Sequence, residues 1–140
     1  MLDPVLVAYV KKEEKFTAEA FWDFQQWTNG WGTRAHYPRE VITEAEADRR
    51  LEIELSAAQA MVDHFKPGLP TGVRSALTDL TYNAGFQWSH AGLGEAVKDE
   101  DWVAVAAHLV QYDRAGGRVL GGLLERRKTE ASWFSNLMEA

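Results

Sequence analysis

The first apolar stripe with helical spacing begins at Asp3-Pro4, where an Asp can cap a helix and a Pro suits its first position. Apolar side chains then recur three and four residues apart as far as Glu14. These residues are Val5, Leu6, Tyr9 and Val10. The pattern predicts a helix over residues 4–14.

Residues 16–40 show a different pattern. Aromatic side chains, glycines and threonines dominate, as in the run FWDFQQWTNGWGTRAHYP, and no helical period is found. Short β-forming runs between turn-forming residues are typical of an irregular hairpin or sheet. We therefore predict a small N-terminal β-hairpin or sheet.

Apolar residues return to helical spacing after residue 40. Thr43 and Glu46 have the spacing of a capping box, and Pro67 stops the helix that they begin. A second helix starts at Thr71 and has Gly85 as its C′ residue. Further helices are predicted over residues 90–98, 101–112 and 122–138. The predicted fold class is α+β and mostly helical, with a C-terminal helical lobe after the sheet.

Length and composition agree with one domain that spans residues 1–140. The chain is 46% hydrophobic and 26% charged, which are ordinary values for a globular protein. It has no cysteine, and its four histidines lie far apart without metal-ligand spacing. We therefore expect no metal site.

Charge and hydropathy limit the expected partners. The net charge of −6 argues against nonspecific binding to nucleic acid. No stretch approaches the roughly 18–20 apolar residues of a membrane span. The first residues also lack the pattern of a secretory signal peptide. The chain is expected to be made in the cytoplasm as a monomer, and not to insert into a membrane.

Glu14 and Asp23 are a candidate catalytic pair. Hydrolysis of a glycosidic bond needs one carboxyl group that protonates the leaving oxygen and a second that activates water or attacks the sugar. Glu14 is expected at the end of the first helix, where the helix dipole raises a carboxyl pKa. Asp23 lies in a polar, turn-rich segment, and Thr28 offers a hydroxyl that can orient a water. Because the chain has 21 acidic residues, spacing alone leaves Glu14 as a solvated helix end and Asp23 as a turn former.

Three segments resemble the motifs of the phage-type lysozymes, glycoside hydrolase family 24. The first, EKFTAEAFWDFQQWTNGWGT, runs from Glu14 to Thr33 and is similar to the family pattern E-G-x-x-x-x-A-Y-x-D followed by T-I-G-Y-G. The others are ALTDLTYNAG at residues 76–85 and AGGRVLGGLLERRKTE at residues 115–130. On these motifs, in the family order over almost the whole chain, the sequence is identified as a member of this family.

The resemblance implies a lysozyme-like fold of two lobes and an inverting hydrolysis of peptidoglycan. The bond cleaved would be the β-1,4 bond between N-acetylmuramic acid and N-acetylglucosamine. Glu14 would be the general acid, while Asp23 and Thr28 would orient and activate the water. The family needs no cofactor, and its partner is the glycan strand of the bacterial cell wall. Release to the periplasmic wall would depend on a hole formed by a separate holin-type membrane protein.

Four residues are candidates for binding the substrate. Asn83 and Tyr112 match positions near the family's cleft, although Tyr112 also suits simple packing at a helix end. Trp31 is placed close to Thr28 and could stack on a sugar ring, as could Trp27. Arg126 or Arg127 is the candidate to pair with Glu14, with Arg127 preferred slightly. A solvated basic face with Lys128 is the alternative. Three other tryptophans are expected in the core, namely Trp22, Trp102 and Trp133.

Several features leave alternatives open. Lys15 stands where the family has a glycine, so the turn after Glu14 must form without a positive φ, or Lys15 must adopt one. Asn29 replaces an isoleucine, and the short gap between Asp23 and Thr28 indicates a short sheet. Glu13 is the alternative acid, although its distance from Asp23 does not fit the motif. A domain that binds peptidoglycan without cutting it, or a helical nucleic-acid or regulatory domain, are the competing functions.

Overall fold

The structure is a computed structural model that describes residues 1–115, 118–119 and 121–139. The chain forms two compact units, Met1–Ala57 and Ala58–Ala140. Helix α2 (Glu44–Phe65) contains the boundary between the two units. The prediction of one domain over residues 1–140 stays a prediction.

The N-terminal unit begins with helix α1 (Pro4–Glu14). The Oδ1 atom of Asp3 accepts a hydrogen bond from the backbone N–H of Val5 at 3.0 Å, and Pro4 occupies the first turn. This is the predicted start, and the helix also ends at the predicted residue, Glu14. Leu6 lies one turn before Val10, and both side chains are fully buried.

Three short antiparallel strands follow, β1 (Thr17–Trp22), β2 (Trp27–Gly30) and β3 (Thr33–Arg34). In the register of β1 and β2, Phe21 pairs with Thr28 and Trp22 pairs with Trp27. Successive side chains along a strand point to opposite faces of a sheet. The two pairs therefore lie on opposite faces, and the predicted small sheet is confirmed.

A buried ion pair connects the sheet to α2 within the N-terminal unit. Arg50 donates to the carboxylate of Glu40 at 2.8 and 2.9 Å, and Glu40 is only 5% exposed. The side-chain amide of Asn29 donates to the carbonyl and the carboxylate of the same residue, at 3.1 and 3.2 Å. These contacts, led by Arg50, lower the pKa of Glu40 to about 2. The network explains how a polar residue is accommodated at position 29, which is fully buried.

The first turn of α2 forms one of the two hydrogen bonds of the predicted capping box. The Oγ1 atom of Thr43 accepts a hydrogen bond from the backbone N–H of Glu46 at 3.1 Å. The Glu46 carboxylate bonds to Arg49 and Arg50. None of the helices in the described part of the chain is long and apolar enough to cross a membrane.

The C-terminal unit is helical. Beyond α2, the described residues form α3 (Thr71–Ala84), α4 (Gly92–Lys98), α5 (Trp102–Leu109) and α6 (Gly121–Ser132). Short 3₁₀ turns lie at Gln87–His90 and Ser135–Met138. The fully or almost fully buried side chains of its core include Leu77, Leu80, Trp88, Leu109 and Phe134.

Helices α5 and α6 are shorter than predicted. After α5, Gln111 and Tyr112 bond back three residues, to His108 and Leu109, instead of four. After α6, Trp133 bonds to Glu130 in the same way. Tight turns of this kind end an α-helix although the apolar spacing of the sequence continues.

A pair of two-residue strands lies between the helices predicted over residues 101–112 and 122–138. These are β4 (Arg114–Ala115) and β5 (Arg118–Val119), which pair antiparallel. The pair was not predicted from the sequence. Gly116 and Gly117 themselves lie outside the described residues.

Candidate active site

Glu14, Asp23 and Thr28 line one cavity of about 230 Å³ in the N-terminal unit. Glu14 comes from the end of α1, Asp23 from the turn after β1, and Thr28 from β2. The rest of the wall is formed by Lys15, Thr17, Phe21 and Gly32. The three side chains predicted to carry catalysis are therefore brought together around one space.

The carboxylate of Asp23 is held by three hydrogen bonds. Its Oδ2 atom accepts the hydroxyl of Thr28 at 2.6 Å. Its Oδ1 atom accepts the backbone N–H groups of Gln25 and Gln26, at 3.1 and 3.0 Å. The Thr28 hydroxyl is the main cause that holds the pKa of Asp23 below its ordinary value. This side chain therefore carries its negative charge at neutral pH and is fixed in orientation.

Glu14 is half-buried and lies against the backbone of Gly32. A Cβ atom added to Gly32 would stand 2.7 Å from the Oε2 atom of Glu14, so the carboxylate would have to move from this position. Gly32 also has a φ of +86°, a conformation that L side chains rarely adopt. Both observations show why a glycine stands beside the predicted acid.

Lys15 adopts the strained backbone that the sequence left as one of two possibilities. Its φ of 60° and ψ of 152° lie in a region that only glycine populates readily. Its N–H bonds to the carbonyl of Lys11 and so closes the last turn of α1. The turn after Glu14 thus keeps the shape that a glycine would give it, and Lys15 lines the cavity beside the acid.

The prediction that Trp31 stacks on substrate is wrong for this structure. Trp31 is only 9% exposed, and its ring packs on Phe16 with a centroid distance of 5.5 Å. Its indole N–H donates to Asp48 at 2.8 Å, and the ammonium of Lys11 lies 5.3 Å from its ring centroid. An indole held on these sides belongs to the core, where it supports the backbone next to Gly32.

Arg127 also has a different role from the one predicted. Its side chain is fully buried in the C-terminal unit, and its Nη2 atom donates to Glu130 at 2.6 Å. The same atom lies 3.8 Å from Asp79, which Arg126 binds through two hydrogen bonds at 2.8 and 2.6 Å. Both arginines face acidic partners inside the unit. Neither the substrate-binding role of Arg127 nor the alternative of a solvated basic face therefore holds.

The remaining two candidates for substrate binding belong to the C-terminal unit. Asn83 is half-buried on α3, and its side-chain oxygen is buried without a hydrogen-bond partner. Tyr112 packs against the core beyond the end of α5, and burial raises its pKa. Tyr112 therefore packs at a helix end, which was the alternative to cleft lining. The substrate-binding role of Asn83 stays a prediction.

Gln26 is a site residue that the sequence analysis missed. Its side-chain amide lies 3.4 Å from the Thr28 hydroxyl, and its backbone N–H binds Asp23. Gln26 thus contacts both members of the pair. The signal available in the sequence was its position two residues before Thr28. The face of the sheet on which its side chain lies depends on the register of β1 and β2, which the sequence did not give. Among the residues that the structure describes, no cluster of three or more His, Asp or Glu side chains is placed to hold a metal ion.

Replacing Thr28 with Val is expected to raise the pKa of Asp23 towards its ordinary value of 3.8, because the largest cause of the lowering is removed. The Asp23 carboxyl ¹³C shift in an NMR titration measures this change directly. Thr28→Ser keeps the hydroxyl and is the matched control, with a midpoint like that of the unmodified chain. An unchanged midpoint in Thr28→Val would show that the backbone N–H groups alone set the acidity.

Replacing Lys15 with Gly is expected to stabilise the chain. Relief of a strained backbone is worth about 1–3 kcal/mol, and the greater freedom of glycine in the unfolded chain offsets about 0.5–1 kcal/mol of that. A net gain of about 1 kcal/mol in the free energy of unfolding should be seen by chemical denaturation. Lys15→Ala removes the same charge but keeps the Cβ atom, so it should give no such gain. Equal gains in both variants would assign the effect to charge instead of backbone strain.

Comparison with known proteins places the chain in a family. The family model described as "Phage lysozyme" matches residues 11–130, and the chain therefore belongs to the phage lysozyme family. The endolysin of Lactococcus phage c2 is 32% identical over 113 residues, covering 79% of this chain and 48% of that protein. The chain thus spans about half the length of the curated relatives it matches.

Solved structures agree on the fold. The active form of the P1 phage endolysin Lyz has a TM-score of 0.85 at 19% identity, covering 97% of this chain and 86% of that one. The muramidase domain of SpmX from Asticaccaulis excentricus also has a TM-score of 0.85, at 20% identity, covering 96% and 97%. The predicted lysozyme-like α+β fold is confirmed.

Proposed function

We propose that this chain is a peptidoglycan hydrolase that cleaves the β-1,4 bond between N-acetylmuramic acid and N-acetylglucosamine and so lyses bacterial cells. One observation carries the proposal: Glu14, Asp23 and Thr28 share a single cavity, and the Thr28 hydroxyl donates to Asp23 at 2.6 Å. The relatives named endolysin and muramidase support the same activity.

In the proposed reaction, Glu14 gives its proton to the glycosidic oxygen as the bond from that oxygen to the anomeric carbon breaks. Asp23 stays ionised because of its three hydrogen bonds, and it accepts a proton from the attacking water. Water adds to the anomeric carbon from the face opposite the leaving group, which inverts the configuration. The cavity of about 230 Å³ is larger than the roughly 30 Å³ that a water occupies, so it can hold the water beside Asp23.

Thr28 has a defined part in this scheme. Its hydroxyl hydrogen is directed at Asp23, and its oxygen, which also accepts from the Gln26 amide at 3.4 Å, has one acceptor position left for a hydrogen of the water. The water is then held between an acceptor and the base that removes its proton. In this scheme Asp23 serves as the base that removes a proton from the water, and its two oxygens are held in place by the turn and by Thr28.

Digestion of purified, lipid-free sacculi tests the proposal. Hydrolysis should release fragments with new reducing ends on N-acetylmuramic acid, and NMR of fresh products should show the α-anomer first. New amino ends on the stem peptides would instead identify an amidase or peptidase. A 1,6-anhydro end would identify a transglycosylase, and either product would overturn the proposed hydrolysis.

A further inference from the structure

A second concave surface lies on the sheet, outside the catalytic cavity. This aromatic hollow measures about 460 Å³ and is lined by Glu19, Ala20, Phe21, Trp22, Trp27 and Arg39. Phe21 also lines the catalytic cavity, so the two spaces share a wall. The reaction proposed above uses no side chain of the hollow.

The position of Trp22 differs from the sequence-based expectation. It was expected in the core, but 57% of its side chain is exposed. Trp27 lies beside it with a ring-centroid distance of 6.1 Å and an interplanar angle of 70°. Two adjacent indoles at the wall of an open hollow are a feature that proteins use for binding, since the apolar area gives no stability while it stays in water.

We propose that the aromatic hollow binds a sugar of the peptidoglycan strand outside the catalytic cavity. The proposal rests on the proposed function, because that function supplies a polymeric glycan next to the shared wall at Phe21. One face of a pyranose ring presents C–H groups, which pack on an indole. Its hydroxyl and acetamido groups need donors and acceptors at the edge, and Arg39 and Glu19 supply both.

Shape and local charge favour the same occupant. The N-terminal unit has seven basic and eleven acidic residues, a net charge of −4, so its overall charge attracts neither an anionic bilayer nor the acidic lactyl and peptide groups of peptidoglycan. The hollow itself is lined by one cation, Arg39, and one anion, Glu19, beside the two indoles, which suits an uncharged sugar ring. A flat bilayer surface would not fill a concave hollow. The hollow therefore fits a sugar of the glycan better than a membrane.

Binding to sacculi tests the proposal in chains that also carry Glu14→Gln, so that the polymer is not consumed. Adding Trp22→Ala should weaken cosedimentation with sacculi by about threefold to tenfold, the range for loss of one aromatic contact. Tyr37→Ala is the matched control, because Tyr37 is 60% exposed in the same unit and does not line the hollow. Circular dichroism and thermal melting check that each variant is folded. Arg39→Gln is a second test variant, which changes the wall of the hollow but leaves both indoles in place.

Equal binding of the Trp22→Ala and Tyr37→Ala chains would overturn the proposal, whatever the activity of the chain. The Trp22→Ala chain could also lose binding to vesicles of phosphatidylethanolamine and phosphatidylglycerol while it still binds sacculi. That result would overturn the proposal in favour of a membrane contact. Failure of the unmodified chain to cleave sacculi would instead contradict the proposed function. The two failures are distinguishable because one is measured as binding and the other as product.

Discussion

Replacing Glu14 with Gln is expected to slow hydrolysis of sacculi by about 10²–10⁴-fold, the contribution of a positioned general acid. Glutamine has nearly the same shape and can occupy the same place against Gly32, but it has no proton to give to the leaving oxygen. The loss should therefore fall on kcat, and the melting temperature should change little. Release of reducing sugar from sacculi measures the rate, and differential scanning calorimetry measures the stability.

Glu13→Gln is the control for this experiment, since it makes the same chemical change one residue earlier. Glu13 is exposed, accepts a hydrogen bond from the Tyr9 hydroxyl at 3.1 Å, and does not line the catalytic cavity. The variant should retain activity close to that of the unmodified chain. If the two variants lose activity equally, or if Glu14→Gln retains it, Glu14 is not the acid.

Replacing Glu40 with Gln is expected to lower the free energy of unfolding by about 3 kcal/mol, the low end of the range for breaking a buried ion pair. The loss falls at that end because Arg50 then keeps one contact with a carboxylate, that of its Nε atom with Glu46 at 2.9 Å. The bidentate contact with Arg50 would be lost, and the side chain of Arg50 is only 9% exposed. The carboxylate that Asn29 contacts would change as well. Since Asn29 directly follows Thr28 in β2, the site should become less rigid together with the sheet.

The pH dependence of stability provides a second measure of the same pair. The folded pKa of Glu40 is about 2, below its ordinary 4.5, so its ionisation stabilises the fold fully above about pH 4.5. That stability is lost as the pH falls from 4.5 towards 2. In Glu40→Gln this part of the acid-induced loss should be absent.

Glu46→Gln is the matched control for Glu40→Gln. Glu46 also bonds to Arg50, but it lies at the exposed edge of the network. Exposed ion pairs contribute little, so chemical denaturation at neutral pH should show a small change in this variant. A loss as large as that of Glu40→Gln would mean that burial does not distinguish the two pairs.

Local signals were sufficient for much of the fold. Asp3 and Pro4 fixed the start of α1 and Gly85 ends α3, because capping depends on residues that are neighbours in sequence. The ends of α5 and α6 could not be predicted, because a change from α-helical to 3₁₀ bonding leaves the apolar spacing unaltered. The β4–β5 pair escaped for a similar reason, since strands of two residues have no period.

The site was predictable in its carboxyl groups and in Thr28, but not in its surroundings. Glu14 and Asp23 were found through the family motif that includes Thr28. Trp31 was assigned to the substrate because an aromatic ring can stack on a sugar, and Arg127 was assigned to the site as a partner of Glu14 by the family resemblance, although both are buried. Whether such a side chain faces solvent depends on distant partners, such as Asp48 for the indole, which spacing along the chain does not reveal.

The turn that holds Asp23 has a consequence for what substitutions can change in the site. Every hydrogen bond that lowers the pKa of this carboxyl comes from residues 23–28, as the Thr28 hydroxyl and the N–H groups of Gln25 and Gln26. The ionised base and all the groups that hold it therefore lie within one short hairpin, whereas the acid is supplied by a separate helix. Substitutions outside residues 23–28 therefore change other walls of the cavity and leave these three hydrogen bonds in place.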